Sequence, residues 1–187
     1  MVLLIENCFH WIGFHVTNYL LEKGFEIDGI DDLNTAKKGH LSMFVGRNES
    51  FSHTVISQSE QTYDAVIRVF DHELVLEKGG NVTIKWPLIF GEWMPMDQKG
   101  IYAHDDFIPF DSDRFMAEAV YVTNVAKSLE QCLHASGLPP VLEIRSAHDQ
   151  KTEQVKLENS VYIRNNRPIK ESVAIVRNHY ERYKRFY

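Results

Sequence analysis

The first apolar run of the chain, Met1-Val2-Leu3-Leu4-Ile5, has the pattern of a short strand buried on both faces. A polar break follows, Glu6-Asn7-Cys8. Ile12, Val16, Tyr19 and Leu20 then recur at helical spacing, Glu22 and Lys23 face out, and Gly24 stands where a helix C-cap glycine belongs. Residues 25–30 form a second strand, which ends in Asp31-Asp32. Strand, turn, helix, strand and acid make a βαβ unit. Asp31 lies eighteen positions beyond Gly13, close to the roughly 20 residues expected of a dinucleotide-binding unit.

Beyond Asp31 the pattern predicts a polar, turn-like stretch over 33–40, a strand over 41–45 and a short strand over 53–57. From Tyr63 to Glu77 the apolar positions are dense enough to predict a helix that needs cover on more than one side. Gly79-Gly80 ends it, and residues 81–86 form the next strand. Residues 87–113 are rich in Pro, Gly, Asp and aromatics, the composition of a long irregular segment with a functional role. A brief extended piece at 120–122 leads into a helix that Thr123 or Asn124 can cap and that runs to about His134. Gly137-Leu-Pro-Pro precedes a strand over 141–144, residues 146–160 are polar, and a helix from about Lys170 to Tyr187 closes the chain, with Val173, Val176, Tyr180 and Tyr183 along one face.

These elements predict one α/β, Rossmann-like domain spanning residues 1–187, with a shortened, mainly parallel sheet flanked by helices. The core comprises 1–86 and 120–145; residues 87–119 and 146–187 form an irregular portion and the closing helix. The first strand is central, with 25–30 and 41–45 on one side and 81–86 on the other.

Charge changes this picture little. The formal net charge is −6, which gives no general electrostatic case for nucleic acid or an anionic membrane. It is uneven, however: residues 151–187 carry nine Lys/Arg against four Asp/Glu, and residues 1–150 eleven against twenty-two. Most such basic stretches are solvated helix faces; the alternative is a docking surface for an acidic partner. The two cysteines, Cys8 and Cys132, are too few for a disulfide framework. The start lacks a basic leader with a long apolar core, and no apolar run reaches membrane-span length. The expectation is a cytoplasmic protein, in which the sequons at Asn48 and Asn81 carry no sugar.

The opening resembles that of the extended short-chain dehydrogenase/reductase family, the NAD-dependent epimerases and dehydratases of nucleotide sugars. There a strand is followed by Gly-x-x-Gly-x-x-Gly, a helix, and a strand ending in Asp. Here the glycine positions read Asn7, His10 and Gly13, while residues 24–34 follow the family more closely. Residues 83–91 are similar to the family's Ile-Leu-Arg-x-Pro-x-Val-Tyr-Gly, with Lys85 at the arginine position. Residues 120–126 are similar to Val-His-Val-Asp-Asp-Val-Ala, and 166–173 to the start of its closing helix. About thirty residues stand between Asn34 and Tyr63, where the resemblance implies two further βα units, the catalytic Ser or Thr and part of the cofactor pocket.

The resemblance also implies a Tyr-x-x-x-Lys pair on a helix, whose lysine lowers the tyrosine pKa and holds the cofactor ribose. Aligned through the following strand, the pair here reads Tyr63 and Ile67. With no cation beside it, an ordinary phenol near pKa 10 is a poor base at neutral pH. Ser57 or Ser59 could stand in for the lost hydroxyl. At the phosphate turn Asn7 can keep the unusual backbone, His10 obstructs, and Asp31 fits a ribose hydroxyl. Lys85 and Arg114 fall on the sugar-nucleotide side of the family, or are plain surface charges. His104-Asp105-Asp106 with Asp111 and Asp113 lacks the pattern of a cation loop, so no metal is expected. The family contributes the helix at 63–77 to a dimer interface, which implies a homodimer. The expectation is a catalytically silent relative serving as a binding or regulatory module, with NAD or NADP not tightly bound; the alternative is an active NAD(P)-dependent epimerase or dehydratase.

Overall fold

The computed structural model describes residues 1–55, 62–86, 88–103, 105–148, 159–163 and 167–187. It is α/β and Rossmann-like, with a mainly parallel sheet of eight strands flanked by helices. The chain forms two compact units, residues 1–85 with 126–142 and residues 86–125 with 143–187. No helix of the described residues is long and apolar enough to cross a membrane.

In the first unit, β1 (Val2–Glu6) buries Leu3, Leu4 and Ile5. Helix α1 (Trp11–Glu22) packs Ile12, Val16, Leu20 and Leu21 inward. It stops at Gly24, whose φ of +83° is open to glycine at no steric cost. There Gly24 N–H donates to Leu21 O at 3.0 Å and Phe25 N–H to Leu20 O at 3.1 Å, the two bonds of a Schellman close. Strand β2 (Glu26–Ile30) then runs parallel to β1, Leu3 opposite Ile27.

The next element departs from expectation. Residues 41–45 are not a strand but the second half of helix α2 (Ala36–Val45). Thr35 caps it, its hydroxyl accepting from Lys38 N–H at 3.1 Å. Leu41 and Val45, one turn apart, are buried while Met43 and Phe44 are exposed, so the apolar run has helical period. The strand comes later, as β3 (Phe51–Thr54), parallel to β2.

Residues 63–77 depart further. In place of a helix stand β4 (Ala65–Val69) and β5 (Glu73–Glu77), an antiparallel hairpin. Burial alternates: Ala65, Ile67, Val69, Leu74 and Leu76 face the core, and Arg68 and Val75 do not. That is period two, reinforced by β-branched residues. Asp71-His72 forms the tip, closed by Phe70 N–H to Glu73 O at 2.9 Å. Gly79-Gly80 is a second turn leading to β6 (Asn81–Lys85), antiparallel to β5. The homodimer expected through a helix at 63–77 therefore has no such helix to use.

Strand order runs β3-β2-β1-β4-β5-β6 and continues to β11 (Val141–Ser146) and β12 (Ser160–Ile163). Leu3 and Ile84 share one sheet, and β6 lies on the far side of β1 from β2, three strands away because the hairpin intervenes. The chain leaves β3 and returns beside β1 as β4, so the strand order reverses between β2 and β4. That is a topological switch point, where open α/β sheets bind ligands beyond the carboxyl ends of the strands. Helix α4 (Val122–His134) enters this unit at Ala126, with Leu129 and Leu133 buried. It is tied by Tyr19 Oη donating to Glu130 at 2.6 Å and Lys78 donating to the carbonyls of Leu133 and Ala135.

In the second unit the expected irregular stretch 87–113 holds short strands. These are β7 (Leu88–Phe90), β8 (Gly100–Ala103) and β9 (Asp106–Pro109). Helix α3 (Asp113–Glu118) leads to β10 (Ala119–Tyr121), which pairs parallel with β7, while β8 and β9 form a hairpin. Strands of three or four residues between Pro and Gly have too few positions to show a period. Helix α5 (Ile169–Tyr183) ends in a 3-10 turn (Lys184–Phe186) and buries Val173, Val176 and Tyr180.

The hairpin makes a direct prediction. Ile67 is fully buried on β4, so Ile67→Lys inserts an ammonium into the core rather than beside a ribose. A loss of about 3–5 kcal/mol or failure to fold is expected. A urea titration of Ile67→Lys that unfolded like the wild type would show that position 67 faces solvent.

Candidate functional site

The turn between β1 and α1 is the sequence's candidate phosphate site. Asn7 has φ 60°, the left-handed region that glycine would otherwise supply. The turn's amides are then used internally. Asn7 N–H donates to Ile30 O at 2.8 Å, Cys8 N–H to the same oxygen at 3.4 Å, and His10 N–H to Asn7 O at 3.0 Å. Phe9 N–H donates to the Asp31 carboxylate at 2.8 Å. Successive amides of this kind cradle anions in phosphate-binding turns; here four in a row serve the chain itself. Gly13 is fixed by space, since a Cβ there would lie 2.1 Å from Asn7 O. It permits the close helix–strand approach expected of the third glycine.

Asp31 follows β2 and is buried. One carboxylate oxygen takes the Phe9 amide. The other accepts from Asp32 N–H at 2.8 Å and from the Lys38 ammonium at 2.6 Å. Lys38, on the first turns of α2, also reaches Asp32 at 2.6 Å. His53 Nε2 bonds the Asp31 carbonyl at 2.9 Å, and its ring lies 4.9 Å from that of Phe9. Burial pulls the Lys38 pKa down, but the two carboxylates outweigh it and hold the ammonium above its ordinary value. The hydrogen bond from Lys38 holds the Asp32 carboxyl below its ordinary value. The acid expected at a ribose hydroxyl thus points back into its own turn.

Two further links cross the switch point, where Asn7 follows β1 and Val69 ends β4. Asn7 Nδ2 donates to Val69 O at 2.8 Å, and His10 Nε2 lies 3.0 Å from the Asp71 carboxylate. His10 Nδ1 is buried without a hydrogen-bond partner. A second proton would sit there unsatisfied. Burial accordingly pushes the His10 pKa below its usual 6.5, with Asp71 opposing.

Asn7, His10, Gly13 and Asp31 are therefore brought together. Tyr63 is not with them. It precedes β4, whose Ala65 pairs with Leu3, so it lies beyond the start of β1 while Asn7 follows its end. The five residues of β1 span roughly 16 Å. The Tyr63 hydroxyl donates to Asp28 at 3.0 Å, and burial together with that carboxylate raises its pKa. A catalytic tyrosine needs the opposite shift. Tyr63 and Ile67 are not one helical turn apart, because β4 is extended. Lys85 faces Glu73 across the hairpin at 3.7 Å, and Arg114 pairs with Asp106 at 3.7 Å and Glu118 at 3.3 Å. Ser57, Ser59 and His104 lie outside the described residues. Among the described residues no group of three or more His, Cys, Asp or Glu side chains is placed to hold a metal ion.

Sequence reasoning missed Lys38, His53 and Asp71. Lys38 left a signal, a cation seven residues after Asp31 on a helix capped by Thr35. The other two are long-range partners.

The His10 imidazole gives a pH prediction. Its folded-state pKa lies below the ordinary 6.5, so as pH falls the unfolded chain takes up the proton first. This group's contribution to stability is therefore lost between pH 6.5 and the folded midpoint. An NMR titration should place the His10 midpoint below 6.5, with Asp71→Asn lowering it further. A midpoint above 6.5 contradicts the burial argument. Gly13→Ala should cost at least about 1–3 kcal/mol in denaturant unfolding; a neutral result would mean the turn is not packed against α1.

No family model matches the chain, and no curated protein matches it.

Proposed function

We propose that this protein is a catalytically silent, cytoplasmic relative of the NAD-dependent nucleotide-sugar epimerases and dehydratases, kept as a binding or regulatory module and not binding NAD or NADP tightly. The observation that carries this reading is the consumption of the phosphate turn by its own chain. Four successive amides from Asn7 to His10 are bonded internally, and both Asp31 oxygens are taken by Phe9, Asp32 and Lys38.

Energetics support it. A micromolar site requires about 8 kcal/mol. Freeing the Phe9 amide from a buried carboxylate costs roughly 1.5–3 kcal/mol, and each neutral bond about 0.5–1.5 kcal/mol. Opening the turn would thus cost several kcal/mol and move a micromolar site toward millimolar. The active alternative requires a base, and the raised pKa of Tyr63, at the opposite end of β1 from the turn, opposes it.

Calorimetric titration with NAD and NADP is expected to give no dissociation constant tighter than about 10 µM. Incubation with either cofactor and a panel of nucleotide sugars should give neither reduced cofactor nor epimerised product. Turnover abolished by Tyr63→Phe would refute the silent reading.

A further inference from the structure

The second unit ends in a basic surface. Arg177, Arg182, Lys184 and Arg185 are exposed on α5 and the turn after it. None of the four makes an ion pair with a described residue. Each lies over an aromatic ring instead: Arg177 over Phe110 at 5.0 Å, Arg182 over Tyr183 at 5.5 Å, Lys184 over Tyr180 at 5.7 Å and Arg185 over Phe186 at 4.6 Å. A guanidinium seated on a ring face keeps its N–H edge in solvent and free for a carboxylate. Between Arg177 and Arg185 in the sequence stands one carboxylate, Glu181, and the Gln98 amide donates to it.

Trp93 anchors part of the aromatic platform beneath. Trp93 is buried with φ 67°. Its ring centroid lies 4.3 Å from that of His179, 5.1 Å from Tyr183 and 5.9 Å from Tyr187. Its backbone N–H donates to Tyr187 Oη at 2.8 Å.

The complementary charge is in the same sequence. Residues 1–150 carry twenty-two acidic against eleven basic side chains. In the first unit a polar groove of about 360 Å³ at the start of β1 and β2 is lined by Glu26, Asp28 and Glu49, with Ser50 and Ser52. None of these three carboxylates pairs with a Lys or Arg among the described residues. A nucleic acid is a poorer occupant of the basic face, because the chain is net −6 and four cations release few counterions.

We infer that the basic end of α5 docks into the Glu26/Asp28/Glu49 groove of a second copy of this chain. Such a contact is heterologous: each copy added leaves one basic face and one acidic groove unfilled unless a ring closes.

Sedimentation equilibrium of the intact chain at about 20 mM and about 500 mM NaCl tests this. The average mass should rise with concentration in low salt, with apparent affinity at least about tenfold weaker in high salt. Arg182→Glu with Arg185→Glu should stay monomeric in low salt while keeping the wild-type thermal melt. Mixing that variant with Glu26→Lys/Glu49→Lys should restore association between the two. A wild type that stays monomeric in low salt at about 100 µM overturns the inference, whether or not the basic face then retains an oligonucleotide. Salt-independent association, or no association on mixing two folded variants, overturns it as well.

Discussion

The Asp31 side chain is 2% exposed, and its carboxylate takes the Phe9 amide, the Asp32 amide and the Lys38 ammonium. A buried carboxylate must be paired or hydrogen-bonded, and this one meets the requirement by joining three elements: the turn after β1, the end of β2 and the first turns of α2. Remove those donors and the group is an uncompensated charge inside the domain. With them in place, the turn holds Phe9 inward, its side chain buried. That form has Asn7 left-handed and leaves no room for a Cβ at position 13.

The same constraint bears on function. The switch point beside β1 is the place where a Rossmann-like sheet can receive a ligand. Here Asn7 reaches the Val69 carbonyl across it and His10 reaches Asp71. Asn7 and His10 thus spend side-chain polar groups on the end of β4 and the turn after it. Under the function proposed above, these groups serve the stabilising network of the first unit rather than a ligand.

The unit from β1 to β2 was legible in the sequence because its signals are local: an apolar strand, a helical period, a glycine close and a terminal acid within thirty-two residues. Gly13 and Asp31 could be paired by their spacing, whereas Asn7 and His10 joined them only through the resemblance to a glycine-rich turn. Residues 63–77 were not legible, because Ala-Val-Ile-Arg-Val satisfies helix and strand patterns alike and the Asp71-His72 turn carries neither Gly nor Pro. A helical Tyr-x-x-x-Lys spacing would set positions 63 and 67 one turn apart, whereas extended β4 separates them along the strand. The helix over 36–45 is hidden in the sequence, because Gly39 and the polar residues before it resemble a turn and the short apolar run over 41–45 resembles a strand. His53 and Asp71 could be found only from the sheet topology, which brings β3 and the β4–β5 turn to the same end of β1.

Amide hydrogen exchange on the unliganded chain tests the central claim most directly. If the turn is closed on itself, the amides of Asn7, Phe9 and His10 exchange as slowly as those of β1, with Phe9 among the most protected. Rapid exchange at Phe9, with β1 still protected, would mean that Asp31 does not hold the turn and that its amides are open to a ligand.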